Sequence, residues 1–396
     1  MLTVSEAVTR ESVTAEVVPL EQAAPHADAW RDLAGRALEP NVFYGPEMTL
    51  AGLRHLPEGR GGRVVMAWRG AGATRRLVGI LPVVGVGRRH GVPLPVRQAA
   101  GFYGTVSTPL IDGEEAEETL AAMLAALGRA GICGLLLPYL YTDGPVAAAL
   151  NRLAGDIGLE QRRLSGFERA FLRSPLDGAT YLRDALETRR RKEAERQRRR
   201  LAETGALAFR VARGPEAAAA LDAFLALEAA GWKGREGTDL RSAPGAALFV
   251  REATAALARA DAIRVALLTL DERVIAAGLV AVAGDRAFYM KTCYDESLGR
   301  FSPGLLLTLD LTAHLLDDPA IEGADSIAIA DHPMIDRVWT ARVAVSTLLL
   351  QTTRDRALSF RLLRGAEDLR ELLRVRSRPL RDRFEAWRAA RKVKAK

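Results

Sequence analysis

The chain is 396 residues long, 48% hydrophobic and 27% charged, with a formal net charge of +7. Its length calls for two or three domains, and its composition is that of a globular chain with ample material for a core. No apolar run reaches the roughly 18 residues of a membrane span, no basic start followed by an apolar stretch marks a signal peptide, and two distant cysteines, Cys133 and Cys293, supply neither a disulfide framework nor a zinc site.

Strand and helix signals alternate along the chain, which predicts an α/β (α+β) fold. "VTAEVVPL" alternates as a strand and "APHADAWRDLAGRAL" follows at helical period. "RVVMAWRG" and "RRLVGILPVVGV" form a strand pair about the turn "AGAT". "EEAEETLAAMLAALGRAG" is a helix with an acidic start and Gly131 at its end, and "GLLLPYL" a buried strand. The second half repeats this order. "ALAFRVAR" is a strand, "PEAAAALDAFLALEAAGW" a helix, and residues 263–284 a hairpin turning at Asp271–Glu272. "RAFYMKTCY" is a strand, "GLLLTLDLTAHLLDD" a helix, and "SIAIA", "STLLLQTT" and "ALSFRLL" are three further strands. Arg76-Leu77-Val78 matches Arg273-Val274-Ile275, and Phe102-Tyr103 and Phe288-Tyr289 follow the two hairpins at similar distances. A duplicated unit is expected: residues 1–173, then 174–365 including a basic linking helix at 178–204, then a basic C-terminal helix or tail at 366–396.

Charge is concentrated in two places. Residues 189–200 carry eight basic and two acidic residues, a net of +6. Residues 374–396 carry ten and two, a net of +8, so the rest of the chain stands at −7. Nucleic-acid modules interleave basic residues with aromatics, and residues 188–205 contain no aromatic. Helical spacing instead pairs Glu187 with Arg191, Arg191 with Glu195 and Glu195 with Arg199, as in a solvated connecting helix. In the tail, Leu380, Phe384 and Trp387 share helical spacing ahead of lysines, which suits either an anionic membrane surface or packing on the protein's own body.

Most motif searches fail. "GREGTDL" lacks a P-loop ending, the five histidines show no metal-ligand spacing, no G-x-S-x-G elbow exists, and "GVGRRHG" lies beside a strand rather than opening a helix. Three stretches remain. At "RFSPGLLL" a loop enters a long helix: its free N–H groups suit a pyrophosphate, with Ser302 as hydroxyl donor and Gly304 permitting close approach, although helix starts of this kind also occur as plain caps. "LEAAGWKGREGTDL" brings Glu228, Trp232 and Lys233 to one end of the second unit. "ADHPMIDRVWT" offers His332, whose ordinary pKa of about 6.5 suits proton transfer, beside Asp331. His332 serves equally as a helix cap, Trp232 as core and Lys233 as surface charge.

The element order (strand, helix, long hairpin, strand, helix, strand, helix, strand, strand) is that of the GNAT acyltransferase fold. "LEAAGWKGREGT", "CYDESLGRFSPGLLL" and "RVWT" resemble the acetyltransferase domain of the CelD-type branch of GNAT proteins, with a more distant similarity to FemAB peptidyltransferases. The match covers roughly residues 180–345, and the first half resembles the N-terminal part of the same proteins. Arg300 and Gly304 sit one residue further apart than the usual pyrophosphate signature, and Ile335-Asp336 replaces a common Tyr-Lys. The resemblance implies transfer from acetyl-CoA or another acyl-CoA, without a metal, to an amine or hydroxyl of a small-molecule or saccharide acceptor. It implies phosphate binding by Arg300, Ser302, Gly304 and Leu305, proton transfer by His332, Glu228 or Asp331, and an acceptor pocket at Trp232, Lys233 and Tyr294. An aminoacyl-tRNA-dependent transferase and a non-catalytic binding module are the alternatives. A cytoplasmic setting is expected.

Overall fold

Strands form where β-branched and aromatic residues cluster between turn residues. The computed structural model describes residues 12–86, 94–237, 239–243 and 245–372, with the side chains of Ala73, Trp232 and Lys233 outside the description. Leu380, Phe384 and Trp387 lie outside the described residues. The first half contributes β1 (Val13–Val18), β2 (Arg63–Arg69), β3 (Arg76–Gly85), β4 (Val96–Ala99), β5 (Leu110–Ile111), β6 (Gly134–Tyr141) and β7 (Gln161–Leu172). The second contributes β8 (Leu207–Ala212), β9 (Ile263–Leu270), β10 (Arg273–Ala283), β11 (Arg286–Tyr294), β12 (Gly323–Asp325) and β13 (Ala341–Gln351).

These strands join into one mixed sheet in the order β1-β2-β3-β4-β6-β13-β7-β12-β11-β10-β9-β8, with β5 beside β3. The two halves pair their strands alike. Each half is an antiparallel meander of four strands whose last member runs parallel to the next strand, β4 to β6 and β11 to β12. The closing strands are exchanged: β13 pairs with β6 of the first half, while β7 pairs with β12 of the second. β7 and β13 then pair antiparallel with each other over ten residues or more in each strand, with one irregularity of register. The β9–β10 turn falls at Asp271 and Glu272, both left-handed at φ 48° and 62°, as a two-residue turn of this hand requires.

Helices cover both faces. In the second half, Glu216–Ala230 and Ala246–Arg259 pack on one face of the sheet, and Pro303–Asp317 packs on the other with Gly178–Ala185 and the basic helix Thr188–Ala202. Segment 178–204 therefore holds two helices, broken at Leu186 and Glu187. The basic helix buries Ala194 and Leu201, and Arg198 reaches Asp310 at 2.6 Å. Its surface ion pairs differ from the expected ladder: Arg191–Glu195 forms at 3.8 Å, but Glu187 pairs with Arg190 and Glu193 with Arg196. Among the described residues no helix is long and apolar enough to cross a membrane.

Two expected strands are corrected. "ALSFRLL" lies in a helix spanning residues 357–372, where Phe360 and Leu363 are buried one turn apart while Leu358 and Leu362 face solvent. "SIAIA" is not a strand; the pairing stops at Asp325, three residues being all that β12 contributes. The Asp325 carboxylate accepts the Ile327 N–H at 2.8 Å and the Ser326 hydroxyl accepts the Ala328 N–H at 3.2 Å, so side chains take the place of a ladder. Phe102-Tyr103 also differs from its counterpart, lying in the loop after the four-residue β4 whereas Phe288-Tyr289 sits within β11.

At the junction of the halves, Arg169 of β7 meets Asp325 at 2.7 Å, both side chains fully excluded from solvent. The Tyr141 hydroxyl donates to the same carboxylate oxygen at 2.7 Å, and Arg169 also donates to the Thr105 carbonyl and hydroxyl at 2.9 and 2.7 Å. Burial, then the Asp325 carboxylate, pushes the Tyr141 phenol well above its ordinary range. Arg169→Met strands the Asp325 carboxylate, and is expected to lower the free energy of unfolding by about 3–5 kcal/mol, read as a drop in the urea midpoint. Adding Asp325→Asn should restore part of that loss. An unchanged midpoint for the single variant would mean the pair does not hold the junction.

Burial raises the Asp310 carboxyl above its ordinary value, against the lowering effect of Arg198. A raised carboxyl in the folded state takes up protons on folding, so stability falls as pH rises from the unfolded value near 3.8 through the raised folded value. Asp310→Asn is therefore expected to gain on the wild type in melting temperature as pH is raised from 4 to 7. A constant difference across that range would contradict the assignment.

Candidate functional site

β11 and β12 are hydrogen-bonded only from Arg286–Gly323 to Phe288–Asp325 and then part. Just beyond, β11 carries a bulge: Leu279 faces Lys291 and Val280 faces Tyr289, leaving Met290 as the extra residue. The wedge so opened is a cleft of about 530 Å³. Its walls are the end of β11, the turn Glu296–Phe301, the start of helix Pro303–Asp317, the end of helix Glu216–Ala230, and the loop at His332 and Met334.

The helix start is the most polarised wall. Asp295 opens the preceding turn, accepting the Ser297 N–H at 2.9 Å while held by Arg273 at 2.7 Å. Ser302 then adopts a left-handed backbone, φ 51° and ψ 52°, a conformation that costs a non-glycine residue about 1–2 kcal/mol. Its carbonyl accepts the N–H groups of Leu305 at 2.9 Å and Leu306 at 3.1 Å, and its hydroxyl caps nothing. Pro303 has no N–H, and Ser302, Gly304 and Leu305 of this helix start line the cleft. A Cβ at Gly304 would stand 3.1 Å from the Tyr294 ring, so the bare backbone is what brings helix and ring together. No acidic residue lies in this helix's first turn. The equivalent helix of the first half, Ala116–Arg129, starts with Glu115 at its cap and Glu117 and Glu118 in its first turn. Those glutamates are paired with Arg69 and Arg152, so the first start is occupied by its own ion pairs, whereas the second has no carboxylate at the positive end of its dipole.

Six of the expected site residues share the cleft: Glu228, Tyr294, Ser302, Gly304, Leu305 and His332. Glu228 is buried, with its two oxygens engaged by Lys291 at 2.9 Å and by the Leu240 N–H at 3.0 Å. His332 accepts the N–H groups of Met334 and Ile335 through Nδ1, at 3.4 and 3.3 Å, capping the turn Ile335–Arg337. The neutral imidazole thereby carries its proton on Nε2 and acts as a donor at that atom. Arg300 and Asp331 are exposed and do not line the cleft; the Arg300 guanidinium rests 4.6 Å from the Phe301 ring centre. The Trp232 and Lys233 side chains lie outside the description, their backbone forming the short helix Trp232–Arg235 beside the cleft. Lys291 was missed from sequence. The signal was present as one cation inside the apolar strand "RAFYMKTCY", facing one carboxylate near the end of an alanine-leucine helix.

Residues 188–330 match the family model described as acetyltransferase (GNAT) domain. FemX has a similar fold: it is 11% identical, covering 84% of this chain and 97% of that one, with a TM-score of 0.55. So has the C-terminal domain, DUF2156, of an Agrobacterium fabrum protein designated a lysylphosphatidylglycerol synthetase, 14% identical over 86% of this chain and 95% of that one, with a TM-score of 0.51. No curated protein matches the sequence. The matched stretch supplies every cleft-lining residue except His332 and Met334, and the protein is by class an acyltransferase.

Proposed function

We propose that the protein moves an acyl group, with acetyl-CoA as the expected donor, to an amine or hydroxyl of a small-molecule or saccharide acceptor. The donor would bind in the second half, in a cytoplasmic setting. The observation that carries this reading is the contrast between the two helix starts, anion-attracting at Ser302–Leu305 and acidic at Glu114–Glu118. The diphosphate would take the Gly304 N–H and the Ser302 hydroxyl at the positive end of the helix dipole. The acceptor's nitrogen or oxygen then attacks the thioester carbon. The new C–N or C–O bond forms, the C–S bond breaks, and the acceptor's proton ends on the departing CoA thiolate. Glu228 is the group to carry that proton, as a buried carboxylate in the cleft wall. His332, protonated on Nε2, donates to the developing negative charge. Tyr294, Trp232 and Lys233 shape the acceptor's approach.

Thermal unfolding with and without acetyl-CoA tests the donor. Ligand at about 100 times its Kd adds roughly 2.7 kcal/mol, a shift of a few degrees. Gly304→Asp should abolish that shift; a shift that survives would move the phosphate site elsewhere. A second reading, an aminoacyl-tRNA donor, draws on Arg189, Lys192 and Arg199, which are exposed along one face of the basic helix. Stabilisation by tRNA that collapses with added salt, without any by acetyl-CoA, would favour it.

Glu228→Gln is expected to keep the acetyl-CoA shift while lowering kcat on order 10²–10⁴-fold. Retained turnover would leave the proton to water.

A further inference from the structure

We infer that the first half holds a second ligand site, built for a neutral, hydroxyl-rich ligand of the saccharide class, where the acceptor is bound. The identification with the acceptor rests on the donor reading above; the site itself does not. β4 and β6 pair over only Val96–Gly134 to Gln98–Leu136 and then part, as β11 and β12 do. The opening is about 860 Å³, larger than the donor cleft, with β7 and the exchanged strand β13 lining it.

Three observations define what it would hold. First, its polar groups are hydroxyls and an amide: Ser107, Ser165, Ser346, Thr347 and Gln98. Ser107 is 2% exposed and its hydroxyl has no hydrogen-bond partner, a state a buried polar group rarely keeps unless a ligand or water completes it. Second, Tyr103 and Tyr139 line the opening with 38% and 37% of their surface open, each on a left-handed backbone with φ 54° and 58°. Strain of this kind collects at binding sites. Tyr103 stacks on Phe249, Tyr139 stands edge-on to Phe167, and the Tyr139 carbonyl accepts the Ser107 N–H at 3.4 Å. Fixed aromatic rings beside hydroxyls suit a ring with one apolar C–H face and a polar rim. Third, the charged lining residues are Glu367, Arg370 and Glu371, and Arg370 lies 3.6 Å from Glu367. Among the described residues the lining carries no surplus of positive charge to attract a phosphate or carboxylate.

The two clefts lie close together. Ala330 lines this one and His332 the donor cleft, while Lys291, which holds Glu228, lies 6.0 Å from the Tyr103 ring centre. The identification with the acceptor has a ligand seated here extend one hydroxyl or amine past Tyr103 toward Lys291 and Glu228.

Saturation-transfer NMR and titration with N-acetylglucosamine and cellobiose, beside inorganic phosphate and glutamate as charged probes, test the site. Binding by a saccharide and not by the anions is expected. Ser107→Ala and Ser346→Ala should each weaken it by about fivefold, and Tyr139→Ala by tenfold or more. Circular dichroism shows which variants are folded, and the two serine variants carry the test if Tyr139→Ala is not. No saccharide binding, equal binding of phosphate, or affinity unchanged in both serine variants overturns the inference. Saccharide binding lost in the variants without any acetyl-CoA shift would uphold the site and remove the donor reading. An acetyl-CoA shift without saccharide binding would do the reverse.

Discussion

The molecule turns on one buried charge pair. Arg169 and Asp325 sit where the exchanged strands cross, with no access to water. Such a pair adds little net stability over an apolar replacement, but losing either partner alone is severe, so it enforces one arrangement of its surroundings. Those surroundings are both clefts. Arg169 pins Thr105 in the loop after β4, Tyr141 closes β6, and the free oxygen of Asp325 turns the chain at Ile327 toward the loop that carries His332. One carboxylate therefore ties β6, β7 and the segment after β12 together.

From that shared centre the two halves diverge chemically although their strand order is the same. The second offers an anion a glycine N–H and a free hydroxyl at a helix start with no acidic residue in its first turn. The first carries glutamates there, two of them held by Arg69 and a third by Arg152. Its wedge is lined by serines and tyrosines instead. On the proposed reading, one half's opening takes a charged donor and the other's an uncharged ligand.

Much of this was legible in the sequence where local and global preferences agree. The hairpin at Asp271–Glu272, the helix closed by Gly131 and the helix after Ser302 all carry their own start and stop residues. Glu228, Ser302 and His332 stood out as candidates from their places at element ends, and Tyr294 through the family resemblance; all four line one cleft. What escaped was set by partners far away. β7, "QRRLSGFERAFL", is solvent-exposed over most of its first eight residues and shows no alternation; it is a strand because β13 pairs with it. "ALSFRLL" is apolar enough for a strand, and its helical period shows only when followed to the buried Glu367. His332 takes the capping role expected of it, and the contacts that make it a cap also fix its tautomer.

The exchange of closing strands has a consequence for how the protein is made. β7 leaves the ribosome early, but its neighbour β13 follows roughly 180 positions later. Until then β6 and β7 present unpaired edges, and the first half cannot close on its own. Folding is therefore tied to completion of the chain. A product ending before Ala341 would expose two sticky sheet edges rather than yield a smaller working enzyme, so truncation should lead to aggregation and clearance.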